Sequence, residues 1–232
     1  MVIIALDFPN KEEVIGFLKK FDDEKLFVKV GMELFYACGP EIVKEIKAMG
    51  HNVFVDLKLH DIPNTVKGGM KSLAGLGADM VNVHAKGGIK MMQAAYSAFD
   101  GMDKKPLMIA VTELTSTSQE MLNNELLCNE KIEKMVIHHA LNAKKAGLDG
   151  VVCSPLEVEG IKKACGKEFI TVTPGIRLKT NSLDDQVRVT TPLDARKIGT
   201  DYIVVGRPIT KASDPVKAYK EIRKDFLGLW KN

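Results

Sequence analysis

The sequence lacks most of the features that would place it in a specialised class. No apolar run approaches the ~18 residues a membrane-spanning helix needs, so neither a span nor a membrane partner is expected. The net charge of +3 is dispersed, without a block of like charges of the kind that makes a nucleic-acid tail, so no nucleic-acid partner is expected. Cysteine is scarce: Cys38, Cys128, Cys153 and Cys165 stand far apart and form no CxxC pair. That speaks against a zinc site or a disulfide framework and fits a reducing cytoplasm. The opening "MVIIAL" has no basic region ahead of it and meets Asp7 at once, so it is not expected to be a signal peptide. No linker rich in Gly, Ser or Pro and no low-complexity tract is present. No GxGxxG follows the first apolar run, and there is no Walker A motif. "GLGAD" at 75–79 closes a helix and leads into a strand, the reverse of the dinucleotide-binding order.

What is present is alternation. Short β-branched runs fall at 2–6, 26–30, 52–58, 79–84, 107–112, 150–153, 169–173 and 201–205. They are nearly continuous in hydrophobicity, as parallel strands covered on both faces should be. Helical segments separate them. Asn10 with Glu13 resembles a capping box ahead of "KEEVIGFLKKF". "NEKIEKMVIHHALNAKKAG" has apolar residues at helical spacing, Lys144 and Lys145 in its last turn, and Gly147 after it. Pro40, Pro155 and Pro215 sit where first helical turns would start. The strand–helix period is too loose to mark an internal repeat. Eight such units predict an α/β fold, a (β/α)8 TIM barrel forming a single domain over 1–232, with an open doubly wound sheet as the alternative.

In a barrel, chemistry gathers at the C-terminal ends of the strands. Here those ends carry Asp7, Lys29, Asp56 with Lys58, Asn82 with His84, "TELTSTS", "TPGIR" and "GRPIT". The third is the most unusual, because "VFVDLKLHD" places Asp56, Lys58 and Asp61 in an otherwise apolar segment. Period-two alternation puts Asn52, Phe54, Asp56 and Lys58 on one face and Val53, Val55, Leu57 and Leu59 on the other. The apolar face should meet the outer helices, leaving Asp56 and Lys58 pointing inward. Phe27, Lys29 and Gly31 share a face by the same rule. A buried ion pair adds little stability by itself, so packing is a poor explanation for this concentration of charge. His138 and His139 are adjacent on a helix and read as packing or surface groups. "VVGRPI" ends the last strand with a glycine and Arg207, a pairing suited to an oxyanion. The long polar segment at about 174–190 is a candidate lid.

"DLKLHDIPNT" resembles the D-x-K-x-x-D motif of the orotidine 5′-monophosphate decarboxylase family. "ALDF", "VKVG", "VHAKGG", "VTELTS", "TPGIR…DDQVR" and "VVGRPI" resemble that family's pattern in order along the whole chain. The resemblance implies decarboxylation of orotidine 5′-monophosphate to uridine 5′-monophosphate, without metal or other cofactor, by a cytoplasmic homodimer. It implies that Lys58 donates a proton to C6, that Asp56 faces the substrate carboxylate, and that Lys29 and Asp61 complete a charged tetrad. Asp61 would reach across the dimer, with Ile62 and Thr65 beside it. Asp7, Lys29 and Thr65 would hold ribose hydroxyls, Thr115 the pyrimidine edge, and Gln186, Gly206 and Arg207 the phosphate. Pro174 would line the pocket. Magnesium-dependent sugar-phosphate decarboxylases and aldolases of the same superfamily are one alternative, and a non-catalytic phosphate-binding barrel is another. Lys29 argues against the first, since an ammonium repels a divalent cation.

Overall fold

The computed structural model describes residues 1–21, 24–176 and 190–229. Eight strands, β1 (Val2–Ala5), β2 (Phe27–Gly31), β3 (Asn52–Leu59), β4 (Met80–His84), β5 (Leu107–Val111), β6 (Gly150–Val152), β7 (Ile170–Thr173) and β8 (Tyr202–Val205), close into a barrel in sequential order. Every neighbouring pair is parallel, β8 returning to β1. Each strand falls within one residue of the run read from the sequence. The helices among the described residues are α1 (Lys11–Leu18), α2 (Met32–Cys38), α3 (Glu41–Ala48), α4 (Pro63–Gly75), α5 (Gly88–Tyr96) and α6 (Gln119–Asn124). They continue with α7 (Ile132–Lys145), α8 (Val158–Cys165), α9 (Pro192–Ile198), α10 (Arg207–Thr210) and α11 (Pro215–Leu227). This is the expected (β/α)8 barrel.

Local signals account for the helix ends. Asn10 Oδ1 accepts the Glu13 N–H at 2.9 Å while Asn10 Nδ2 donates to Glu13 Oε1 at 2.8 Å, a reciprocal clasp that starts α1. Pro63, Pro192, Pro208 and Pro215 occupy first-turn positions, where the missing N–H has no intrahelical acceptor to lose. Pro215 was expected there; Pro40 instead precedes α3 as its cap, and Pro155 opens a short 3-10 turn. In α7, Val136, His139, Ala140 and Ala143 face inward and the last turn carries Lys144 and Lys145.

The core has two parts, and strand parity decides which residue enters which. Ile3, Ala5, Phe27, Phe54, Met80, Ile109, Val172 and Val204 fill the barrel interior. Val53, Val55, Leu57 and Leu59 belong to the larger layer between strands and helices, as alternation predicts. The bottom of the barrel shows a repeat in local chemistry that the spacing of the elements conceals. Gly77-Ala78-Asp79, Gly147-Leu148-Asp149 and Gly199-Thr200-Asp201 precede β4, β6 and β8. Their glycines have φ of +81°, +90° and +86°, so a side chain there would be strained. Each aspartate then clasps one residue of the preceding strand. Its N–H donates to, and its carboxylate accepts from, Val53, Met108 and Thr171 respectively. Lys47 of α3 and Lys162 of α8 pair with Asp79 and Asp201. At β2 the buried His51 plays a related part, its Nδ1 accepting the Leu26 N–H at 3.3 Å. These contacts fix the register at the base and leave the opposite rim free for chemistry.

Candidate active site

That rim surrounds a cavity of about 300 Å³ with an apolar floor and a charged wall. Ala5, Phe54, Val152, Val172 and Val204 form the floor, continuous with the barrel core. Of the residues singled out from sequence, Asp7, Lys29, Asp56, Lys58, Thr115, Pro174, Gly206 and Arg207 all line it. They come from the ends of β1, β2 and β3 and from the segments after β5, β7 and β8, distant in sequence and joined only by barrel closure.

The charges alternate through the cavity. Asp7 Oδ1 lies 3.3 Å from Lys29 Nζ, which lies 3.4 Å from Asp56 Oδ2. Lys58 Nζ donates to Asp56 Oδ1 at 2.8 Å. Asp56 and Lys29 side chains are each 12% exposed, so these groups interact in a low-dielectric setting where pairing matters. Burial pushes the Asp56 carboxyl up. The ammoniums of Lys29 and Lys58, with hydrogen bonds from Lys58 and Asn82, more than offset that and hold it below the usual carboxylate range. Burial likewise pulls Lys29 down, and Asp56 and Asp7 together carry it above its ordinary value. Both groups are therefore held ionised by each other.

Gly31 makes this packing possible. A Cβ at that position would stand 2.9 Å from Lys29 Nζ and 3.4 Å from Asp7 Oδ1, so the ammonium occupies the space that a side chain would take. Sequence reading placed Gly31 on the same face as Lys29 without seeing this consequence. It also left Asn82 without a role. Asn82 is fully buried, and its Nδ2 donates to Asp56 Oδ1 at 2.7 Å. Parity carried the signal: Met80 of β4 points into the barrel core, and Asn82 lies two residues further on.

Two expected site residues stand apart from this cavity. Asp61 and Thr65 are exposed and line a different surface depression with Tyr36 and His60, Lys58 being shared by both. Asp61 Oδ1 accepts the Ile62 N–H at 2.6 Å, which turns the chain into α4. Within one chain, then, Asp61 is not part of the Asp7–Lys29–Asp56–Lys58 array. Gln186, and most of the candidate lid at about 174–190, lie outside the described residues.

The histidines settle into structural contacts. The His60 and His84 rings stack with centroids 5.5 Å apart, and His84 Nδ1 accepts the Lys86 N–H at 3.3 Å. Burial, aided by Lys86 and His60, lowers His84 to about 4, so it is neutral at neutral pH. His139 is buried on α7, its Nε2 3.3 Å from Glu113 Oε1, while Lys86 Nζ approaches Glu113 Oε2 at 2.9 Å. His138 instead meets Asn142 on the surface of α7.

Comparison with known proteins agrees with this arrangement over nearly the full chain. The model of the Orotidine 5'-phosphate decarboxylase / HUMPS family matches residues 1–222. An orotidine 5′-phosphate decarboxylase of Bacillus mycoides is 55% identical over 232 residues, covering 98% of each chain. Among solved structures, an uncharacterized conserved protein from Geobacillus kaustophilus superposes with a TM-score of 0.88 at 49% identity, covering 97% of this chain and 100% of that one. An orotidine 5′-phosphate decarboxylase from Lactobacillus acidophilus superposes with a TM-score of 0.87 at 45% identity, covering 97% and 98%. A barrel whose strand ends gather alternating lysines and aspartates over an apolar floor, matched along its length by these relatives, belongs to the orotidine 5′-phosphate decarboxylase / HUMPS family.

Proposed function

We propose that this chain, a single-domain barrel, converts orotidine 5′-monophosphate to uridine 5′-monophosphate in the cytoplasm, as the last step of pyrimidine nucleotide synthesis, without a cofactor. The observation that carries the reading is the Asp7–Lys29–Asp56–Lys58 array inside one strand-end cavity. Loss of CO₂ from C6 leaves an electron pair in the plane of the pyrimidine ring, orthogonal to the π system. It cannot delocalise as an enolate would, so a fixed cation beside C6 must stabilise it. Lys58 is that cation, and it delivers the proton that completes the product. Asp56 keeps Lys58 and Lys29 charged and in place, and its own depressed pKa keeps it anionic beside the substrate carboxylate.

The remaining roles are those the family resemblance implies. Thr115 and Pro174 border the pyrimidine, and Asp7 and Lys29 hold the ribose hydroxyls. Gln186, Gly206 and Arg207 grip the phosphate, whose binding energy orients the distant reacting carbon. Asp61 and Thr65 serve the site of a second copy in a homodimer. The exposure of Tyr36 at 71% and Ile62 at 67% beside them supports this, since such apolar area favours burial against a partner. Lys29 favours this reading over a magnesium-dependent one, because its ammonium sits 3.4 Å from Asp56, where a divalent ion would need that carboxylate. The test is an ultraviolet assay with orotidine 5′-monophosphate, with and without EDTA. Turnover insensitive to EDTA is expected. Turnover abolished by EDTA and restored by magnesium would overturn it in favour of the sugar-phosphate enzymes, and ligand binding without turnover would favour a binding barrel.

A further inference from the structure

Asn82 sits where the ladder between β3 and β4 breaks. Val55 pairs with Val81, but the next pair is Leu59 with Val83, so the stretch of β3 that carries Asp56 and Lys58 bulges away from regular pairing. Lys58 itself has φ of +51°, in the left-handed region that a lysine seldom adopts. Something must hold this backbone. The Lys58 N–H donates to Asn82 Oδ1 at 2.8 Å, and the same carboxamide donates through Nδ2 to Asp56 Oδ1 at 2.7 Å.

We propose that Asn82 is a positioning residue for the reaction: one buried carboxamide locks the Asp56 carboxylate and the Lys58 backbone together, and so sets where the Lys58 ammonium meets the reacting carbon. This rests on the roles proposed above for Asp56 and Lys58. The chemistry of the two contacts selects an amide. One neighbour is an N–H and needs an acceptor; the other is an ionised carboxylate and needs a donor. A carboxylate at this position could serve only the first, and an aliphatic side chain neither. The lock also restricts motion. A carboxylate turns easily about its last torsion, whose energy wells are broad. Asp56 Oδ1 accepts from both Asn82 and Lys58, which leaves Oδ2 facing Lys29. Releasing Asn82 would let the carboxylate turn and Lys58 drift with it.

The test compares Asn82→Ala, Asn82→Asp and, as a reference, Asp56→Ala, reading kcat and KM for orotidine 5′-monophosphate across about pH 5 to 9, with thermal melts alongside. Asn82→Ala should lower kcat about 10- to 100-fold, the rate equivalent of losing a hydrogen bond to a charged group. KM should stay within roughly threefold, since the phosphate grip is elsewhere. Should that variant fail to fold, Asn82→Asp decides. It keeps the acceptor for the Lys58 N–H but turns an oxygen without hydrogen toward Asp56. Its deficit should be largest at high pH and narrow as pH falls, when the two carboxyls come to share a proton. A merely structural defect would not follow that proton. Activity within about twofold of wild type, an Asn82→Asp deficit that does not vary with pH, or a raised KM at unchanged kcat would overturn the proposal. Asp56→Ala separates the failures. If it too retains full turnover, the roles of Asp56 and Lys58 fail; if it is inactive while the Asn82 variants are normal, only the lock fails.

Discussion

Replacing Gly31 by alanine isolates the electrostatics of the site from its folding. Gly31 has φ of −91°, which alanine adopts freely, so the backbone has no reason to object. The new methyl would stand 2.9 Å from Lys29 Nζ. Reaching ordinary contact requires the ammonium to retreat by roughly 0.5–1 Å. If the Lys29–Asp56 separation of 3.4 Å opens to about 4.2 Å, the Coulomb attraction at an effective dielectric of about 20 falls by about 1 kcal/mol. That alone is about fivefold in rate. Displacement of a group meant to hold substrate can take the loss toward a hundredfold. Gly31→Ala should therefore reduce kcat/KM for orotidine 5′-monophosphate by about 5- to 100-fold while moving the melting temperature by only a few degrees. Wild-type activity in a correctly folded variant would refute the claim that the Lys29 ammonium must occupy this space. A collapse of stability matching the loss of activity would show that the contact serves packing instead.

Two further outcomes bear on other parts of the account. If the proposed homodimer forms, mixing inactive Asp56→Ala and Asp61→Ala proteins should regenerate activity as subunits exchange; no recovery, with exchange verified by mass, contradicts Asp61 acting across a dimer. Burial raises the Asp79 carboxyl, but Lys47 and the Val53 N–H hold it below its ordinary value of 3.8, so its contribution to stability is present above that pH and lost as pH falls through the folded-state value. Asp79→Asn should lower stability by about 1 kcal/mol at neutral pH, or roughly 2–4 °C in melting temperature, and the difference should vanish in acid. An equal difference at all pH values would assign the effect to something other than this charge.

The fold was legible because parallel barrel strands are buried on both faces and so stand out as β-branched runs, each recovered within one residue. Lys29, Asp56 and Lys58 were legible for the opposite reason. They are charges where burial forbids charge, and parity turned all three toward the same interior. Parity did not show where the strand stopped being regular. The bulge after Val55 and the left-handed Lys58 depend on the neighbouring strand, which β3 alone does not reveal. Asn82 was passed over because its meaning lies in the two atoms it bridges rather than in its own position. The Gly-x-Asp turns were overlooked because they recur before β4, β6 and β8, separated by elements of unequal length. Asp61 is the instructive case: spacing alone places it off the inward face, and the chain indeed keeps it outside the cavity, beside Ile62.

The most direct test of the central claim is the decarboxylation rate of Lys58→Ala measured beside its affinity for uridine 5′-monophosphate. If the Lys58 ammonium stabilises the carbanion and supplies the proton, turnover should fall by several orders of magnitude while nucleotide affinity stays within about tenfold, because the phosphate and ribose contacts proposed above are assigned to other residues. Turnover near wild type, with normal nucleotide binding, would contradict the account.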